Sequence, residues 1–161
     1  MVRRSDSRQS FQARPGLTLI DFVVSTLVLG ILAAAALPRF SGALVRNRLS
    51  AAALRVCADV RFARNSAIAS SATKRIEFDP ALEKYTLVGV PSIDRPGTDY
   101  LVPLSTGAYD VMIVSANLGG DANLTFDLHG QPDSGGTIVL QSGSRQKTVI
   151  IDAATGEARV Q

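Results

Sequence analysis

The chain has 161 residues, of which 46% are hydrophobic and 19% charged, and it holds one domain of roughly 90 to 120 residues once a long apolar run near its start is set aside. Its net charge of +3 comes from residues 1–16, where Arg3, Arg4, Arg8 and Arg14 face only Asp6; the remainder is balanced, which argues against a broadly basic nucleic-acid-binding domain. Cys57 is the single cysteine, so an intramolecular disulfide and a multi-cysteine metal site are excluded, and in its Ala-rich setting it reads as a buried small hydrophobe.

From Leu17 to Leu37 twenty-one residues contain one ionisable side chain, Asp21. As a helix the run spans roughly 30 Å, the thickness of a bilayer's hydrocarbon core. The basic residues before it predict a cytoplasmic N-terminus and a domain on the far side of the membrane, although Arg39, Arg46 and Arg48 on the other flank make that bias modest. Three readings compete. A secretory signal peptide would use Ala34 and Ala36 as its cleavage site, but the run exceeds the usual length of about 7 to 15 residues. An uncleaved signal anchor explains the length and the flanks and leaves Asp21 unexplained. An unpaired aspartate in lipid costs on the order of 2.5–3.5 kcal/mol on insertion scales. A cut after Gly16 supplies its partner: Leu17 becomes a terminal amine one helical turn from Asp21, on the same chain or a neighbouring one. Arg14-Pro15-Gly16 suits a cut, because Pro15 keeps the preceding residue extended and Gly16 offers no side chain to obstruct a protease.

Beyond Pro38 the helical pattern continues to about Ser70, with Leu49, Val56, Val60, Ala63 and Ala67 at spacings of three, four and seven forming a core-facing stripe. Pro38 and Gly42 are expected to bend or loosen the helix where it leaves the membrane. Arg48, Arg55, Arg61 and Arg64 read as a solvated face diluted by Asp59. From Lys74 the signals change to strands. Residues 75–78 and 84–88 flank Asp79-Pro80-Ala81 as a hairpin, and residues 89–107, with three prolines, read as a partly irregular excursion. Strands are expected again at 110–115, 123–127, 137–141 and 147–151, with Gly143-Ser144 and Thr155-Gly156 as turns. The expected class is α+β, a long N-terminal helix, transmembrane in its first half, packed on a mostly antiparallel β-sheet domain.

Parts for an enzyme are scarce. The one histidine, His129, sits where a strand ends, and there is no phosphate-cradling glycine loop or metal-ligand cluster. No catalytic residue, metal or cofactor is therefore assigned.

The stretch Gly16-Leu17-Thr18-Leu19-Ile20-Asp21, followed by an apolar helix reaching Pro38, resembles the type III signal of type IV prepilins and type II secretion pseudopilins. The resemblance implies cleavage after Gly16 by a prepilin peptidase, methylation of Leu17, a role for Asp21 in assembly and a helix kink at Pro38. The family usually has Phe first and Glu fifth, where this chain has Leu17 and Asp21. Asn47-Arg48-Leu49, the stretch Asp59 to Ile68, Leu124-Thr125-Phe126-Asp127 with Gly130, and the final strands closing at Gly156 are similar to the GspH/FimT group of minor pseudopilins and minor pilins. The implied organisation is a leader at 1–16, a transmembrane and filament-core helix at 17–37, its amphipathic continuation at 38–72 and a periplasmic β-rich domain at 73–161. The implied partners are the peptidase, other pilins or pseudopilins in a filament and the inner membrane, with protein secretion ahead of a pilus. Some members of the group take up DNA through a Gly-Arg-x-Arg tail. This chain has Gly156-Glu157-Ala158-Arg159, so Arg145, Lys147 and Arg159 are its candidate DNA contacts, too few for strong counterion-release binding on their own. A signal-anchored periplasmic binding domain remains the other alternative.

Overall fold

The computed structural model describes residues 18–92 and 94–161, with side chains for all of these except 35–41. Gly16 and Leu17 lie outside the described residues. One helix, α1 (Leu19–Ser70), opens the chain and passes through Pro38. It crosses the boundary, between Phe40 and Ser41, of two compact units.

In the first unit every described side chain of α1 is exposed, Leu19 by 83% and Ile20 by 68%. A helix apolar on all sides has no internal core to face. Among the described residues no helix is long and apolar enough to cross a membrane. The expected span at 17–37 extends past the described side chains at both ends.

In the second unit α1 becomes one-sided. Leu49, Val56, Val60, Ala63 and Ala67, the expected stripe, are buried, with Ala52, Ala53 and Cys57 beside them in one hydrophobic cluster. Eight strands follow: β1 (Lys74–Asp79), β2 (Lys84–Pro91), β3 (Asp99–Pro103), β4 (Met112–Leu118), β5 (Asn123–Phe126), β6 (Gly136–Ser142), β7 (Arg145–Ile151) and β8 (Ala158–Val160). They divide into two four-stranded sheets, ordered β3-β2-β1-β5 and β4-β6-β7-β8, and every pairing is antiparallel. Alternate residues enter the core, as Ile76, Phe78, Tyr85 and Leu87 do from the first sheet and Ile138, Leu140, Val149 and Ile151 from the second.

The α+β class, the hairpin at 79–84 and the turn at Gly143-Ser144, which joins Ser142 to Arg145 in register, follow the sequence expectation. Four features differ from it. The strands form two sheets. Residues 89–107 contain the end of β2 and all of β3; both strands finish on a proline, a position where no further ladder bond is required. The last strand, β8, lies beyond Gly156, and β4 begins two residues later than expected because Asp110 holds a left-handed φ of 52°.

Two glycines fix how these elements meet. Gly156 (φ +68°) is buried where a Cβ would come within 2.6 Å of the Phe126 ring, and a Cβ on Gly130 (φ +76°) would come within 2.7 Å of Ile68. Both positions demand a left-handed backbone and no side chain. They are two glycines of the resemblance noted above.

Candidate functional site

The helix start is built as a capping box. The Thr18 backbone N–H and hydroxyl donate to Asp21 Oδ2 at 3.1 and 2.6 Å, and the Asp21 N–H donates back to Thr18 Oγ1 at 3.3 Å. Two of the helix's orphan donors are satisfied reciprocally, and the carboxylate lies at the positive end of the helix dipole. Among the described residues these bonds use only Oδ2, which leaves Oδ1 with acceptor capacity. The spacing Thr-x-x-Asp before an apolar run was the available sequence signal for Thr18, a residue the sequence reading did not single out. Five residues on, the Thr26 hydroxyl is satisfied by the Phe22 and Val23 carbonyls, which lets a polar side chain sit in an apolar helix.

A second polar cluster lies within the folded unit. Asp59 is only 5% exposed. Its Oδ2 accepts from Arg55 Nε at 2.9 Å and from the Tyr85 hydroxyl at 2.5 Å. Arg55 also reaches the Tyr100 hydroxyl and lies over the Tyr100 ring, 5.7 Å from its centroid. Burial raises the Tyr85 pKa, and the Asp59 charge adds to that. For Arg55 burial pulls the pKa down, but the bond to Asp59 and its charge outweigh it and the net direction is up. The cluster ties α1 to β2 and β3, and it corrects the reading of these arginines as a solvated face. Arg48 likewise pairs with Asp110 at 2.9 Å, and Arg64 Nε donates to the Gly130 carbonyl at 3.1 Å. Of the four, Arg61 is the one that remains mostly solvated.

Arg145 and Lys147 lie on β7 and Arg159 on β8, in one sheet. Arg159 is in register with Ile150, so it shares the face of Ile150, opposite that of Val149, Lys147 and Arg145. The three candidate DNA contacts therefore do not form one patch on one face. His129 is exposed, and its backbone N–H donates to Asp127 Oδ1 in a turn. Cys57 is buried, and burial raises its pKa, the behaviour of a small hydrophobe. Pro38 lies inside α1 and Asp21 in its first turn; the remaining prepilin-signal positions, Gly16 and Leu17, are outside the described residues.

Among the described residues a long helix is apolar on all sides at one end and one-sided at the other, and a two-sheet antiparallel domain follows it. The protein-family model "Type II transport protein GspH" matches residues 52–155, most of the folded unit. The chain belongs to this GspH family of minor pseudopilins and pilins, structural subunits that assemble with other pilins. A crystal structure of the type IV minor pilin FimU of Pseudomonas aeruginosa (strain PAO1) is similar, with a TM-score of 0.47 and 18% identity over 72% of this chain and 88% of that chain. No curated protein matches the chain.

Proposed function

We propose that the chain is a minor pseudopilin of a type II secretion system, cut after Gly16 by a prepilin peptidase and methylated at Leu17. Residues 17–37 hold it in the inner membrane, N-terminus cytoplasmic and domain periplasmic, until it is drawn into a short periplasmic filament. Secretion is preferred over a pilus because the matched family is described as a type II transport protein.

The observation that carries the reading is the carboxylate at the start of a helix with no apolar partner of its own. Asp21 Oδ2 is occupied in capping the helix through Thr18, which leaves Oδ1 to accept a terminal amine. In an apolar bundle that pairing lowers the cost of the buried charge and sets the axial register of one subunit against the next.

Intact mass and N-terminal sequence, measured on chain expressed with and without a prepilin peptidase, test it. The expected product starts at Leu17, is one methyl group heavier and depends on the peptidase. A start at Leu37, or an uncut chain, would remove the filament role given to Asp21. Asp21→Ala is expected to leave cleavage intact and to reduce incorporation into filaments, read by shearing and immunoblot. Gly16→Leu is expected to block cleavage by crowding the protease site.

A further inference from the structure

β8 is the outer strand of its sheet, and its hydrogen bonding shows which of its backbone groups have no strand partner among the described residues. The Asp152 N–H donates to the Glu157 carbonyl at 3.0 Å and the Gln161 N–H to the Thr148 carbonyl at 2.8 Å. In an antiparallel ladder both polar groups of one residue point the same way and those of the next point to the other side. Residues 157, 159 and 161 are thus turned toward β7, and Ala158 and Val160 turn their N–H and C=O groups to the other side; Val160 is half-buried and Ala158 is 1% exposed, so the Ala158 groups are reached only when the side chains over them move aside.

That edge is not open on all sides. It forms one wall of a groove of about 390 Å³ whose other wall is α1, through Leu54, Ala58 and Arg61. These positions, four and seven residues apart, lie on one helix face, and Leu54 is 63% exposed. Past the start of β8 the groove runs on into a second cleft of about 290 Å³ lined by Arg61, Arg64, Asn65, Gly156 and Glu157. Arg61 and Glu157 face each other at 3.7 Å with side chains 62% and 67% exposed. Such a pair contributes little and is readily exchanged for another partner. Along this path the Arg61 and Arg64 guanidinium groups stand against one carboxylate, that of Glu157.

We propose that this groove binds an extended segment of a partner protein by strand addition to β8. The segment runs antiparallel to β8, with small apolar side chains at alternate positions over Leu54 and Ala58. Its C-terminal end carries a carboxylate that meets Arg61 and Arg64. The backbone bonds to Val160, and to Ala158 as it is uncovered on binding, supply affinity, while the helix wall and the arginines supply direction and selectivity. An antiparallel course is the more stable pairing, and it brings the C-terminal end of the segment to the arginine cleft.

The test uses the full chain in detergent micelles and a fluorescein-labelled hexapeptide that alternates valine and threonine and ends in glutamate, titrated by fluorescence anisotropy. Saturable binding is expected, together with slowed hydrogen exchange at the Ala158 and Val160 amides. Val160→Pro removes one outward N–H without touching the ladder to β7. Ala58→Arg fills the groove from an exposed helix position. Each is expected to weaken binding by about tenfold or more, with the circular dichroism spectrum unchanged. A peptide ending in lysine is expected to bind more weakly than the glutamate peptide. No saturation up to about 1 mM, an unchanged affinity in Val160→Pro, or equal binding of the lysine peptide would each overturn the proposal. Self-association of the chain without peptide, abolished by the same two variants, would assign the groove to a second copy and also overturn it.

Discussion

Asp59 shows how much a single carboxylate organises here. It sits on the buried side of α1, twenty-six residues before Tyr85, and holds Arg55 and Tyr85 through one oxygen. Tyr85→Phe keeps the ring and removes one hydrogen bond to a charged group, so a loss of about 1.5–3 kcal/mol is expected in urea unfolding. Asp59→Ala leaves a buried hydroxyl and a guanidinium without their partner. Because Arg55 is more than a third exposed, its cost falls at or below the lower end of the roughly 3–5 kcal/mol typical of a broken buried pair. A smaller loss in Asp59→Ala than in Tyr85→Phe would show that the network does not act through Asp59. The cluster was not legible in sequence, since an aspartate four residues from an arginine on a helix has the spacing of a solvated ion pair; only the fold brings Tyr85 to it. Asp127 and Asp152 act differently. Asp152 is exposed and Asp127 half-buried, and hydrogen bonds lower their pKa, chiefly from the Gln131 backbone for Asp127 and from the Thr155 backbone for Asp152. A lowered folded pKa gives stability that is present above the ordinary value of 3.8 and is lost as pH falls through the folded value. Asp127→Asn is accordingly expected to be less stable than the parent near neutral pH, with the gap closing on acidification below about pH 4, as read from urea midpoints across pH.

At the scale of elements, what the sequence revealed and what it hid have a common cause. The buried stripe of α1 and the β1–β2 hairpin were legible because each repeats its own period over several residues, 3.6 in one and 2 in the other. β3 was hidden because Pro91, Pro96 and Pro103 mask that period, although an outer strand tolerates a proline at its end. β8 was hidden because three residues are too few to show alternation. The turn between β7 and β8 is nonetheless tightly specified. The Gly156 N–H donates to the Asp152 carbonyl at 2.8 Å, and Gly156 sits under Phe126 and Pro132 with φ at +68°. Gly156→Ala meets two costs together, a left-handed backbone for a residue with a Cβ and a clash with a buried ring. A destabilisation of about 1–3 kcal/mol or more is expected from strain and overpacking. It would be measured by thermal unfolding, and a neutral result would mean that the turn can shift away from Phe126.

At the scale of the whole molecule, the buried residues of the hydrophobic cluster run from Leu49 to Ala158, and among the described residues none lies before Ser41. The described side chains of the first unit are exposed and take no part in that core, which fits the membrane and filament role proposed for residues 17–37. Folding of the second unit is therefore expected to be independent of the first. A fragment starting at Ser41 should unfold cooperatively, with the urea midpoint of the same unit in the full chain. A fragment starting at Leu54 should fail or weaken sharply, because it lacks Leu49, Ala52 and Ala53, all at most 2% exposed. Losing a buried leucine alone costs about 2–5 kcal/mol, a large part of the roughly 5–15 kcal/mol that holds a domain together. If the Ser41 fragment were as unstable as the Leu54 fragment, the apolar half of α1 would be part of the fold. Under the proposed function, extraction from the membrane would then cost folding free energy, whereas independence would let residues 17–37 exchange lipid for neighbouring helices with the folded domain unchanged.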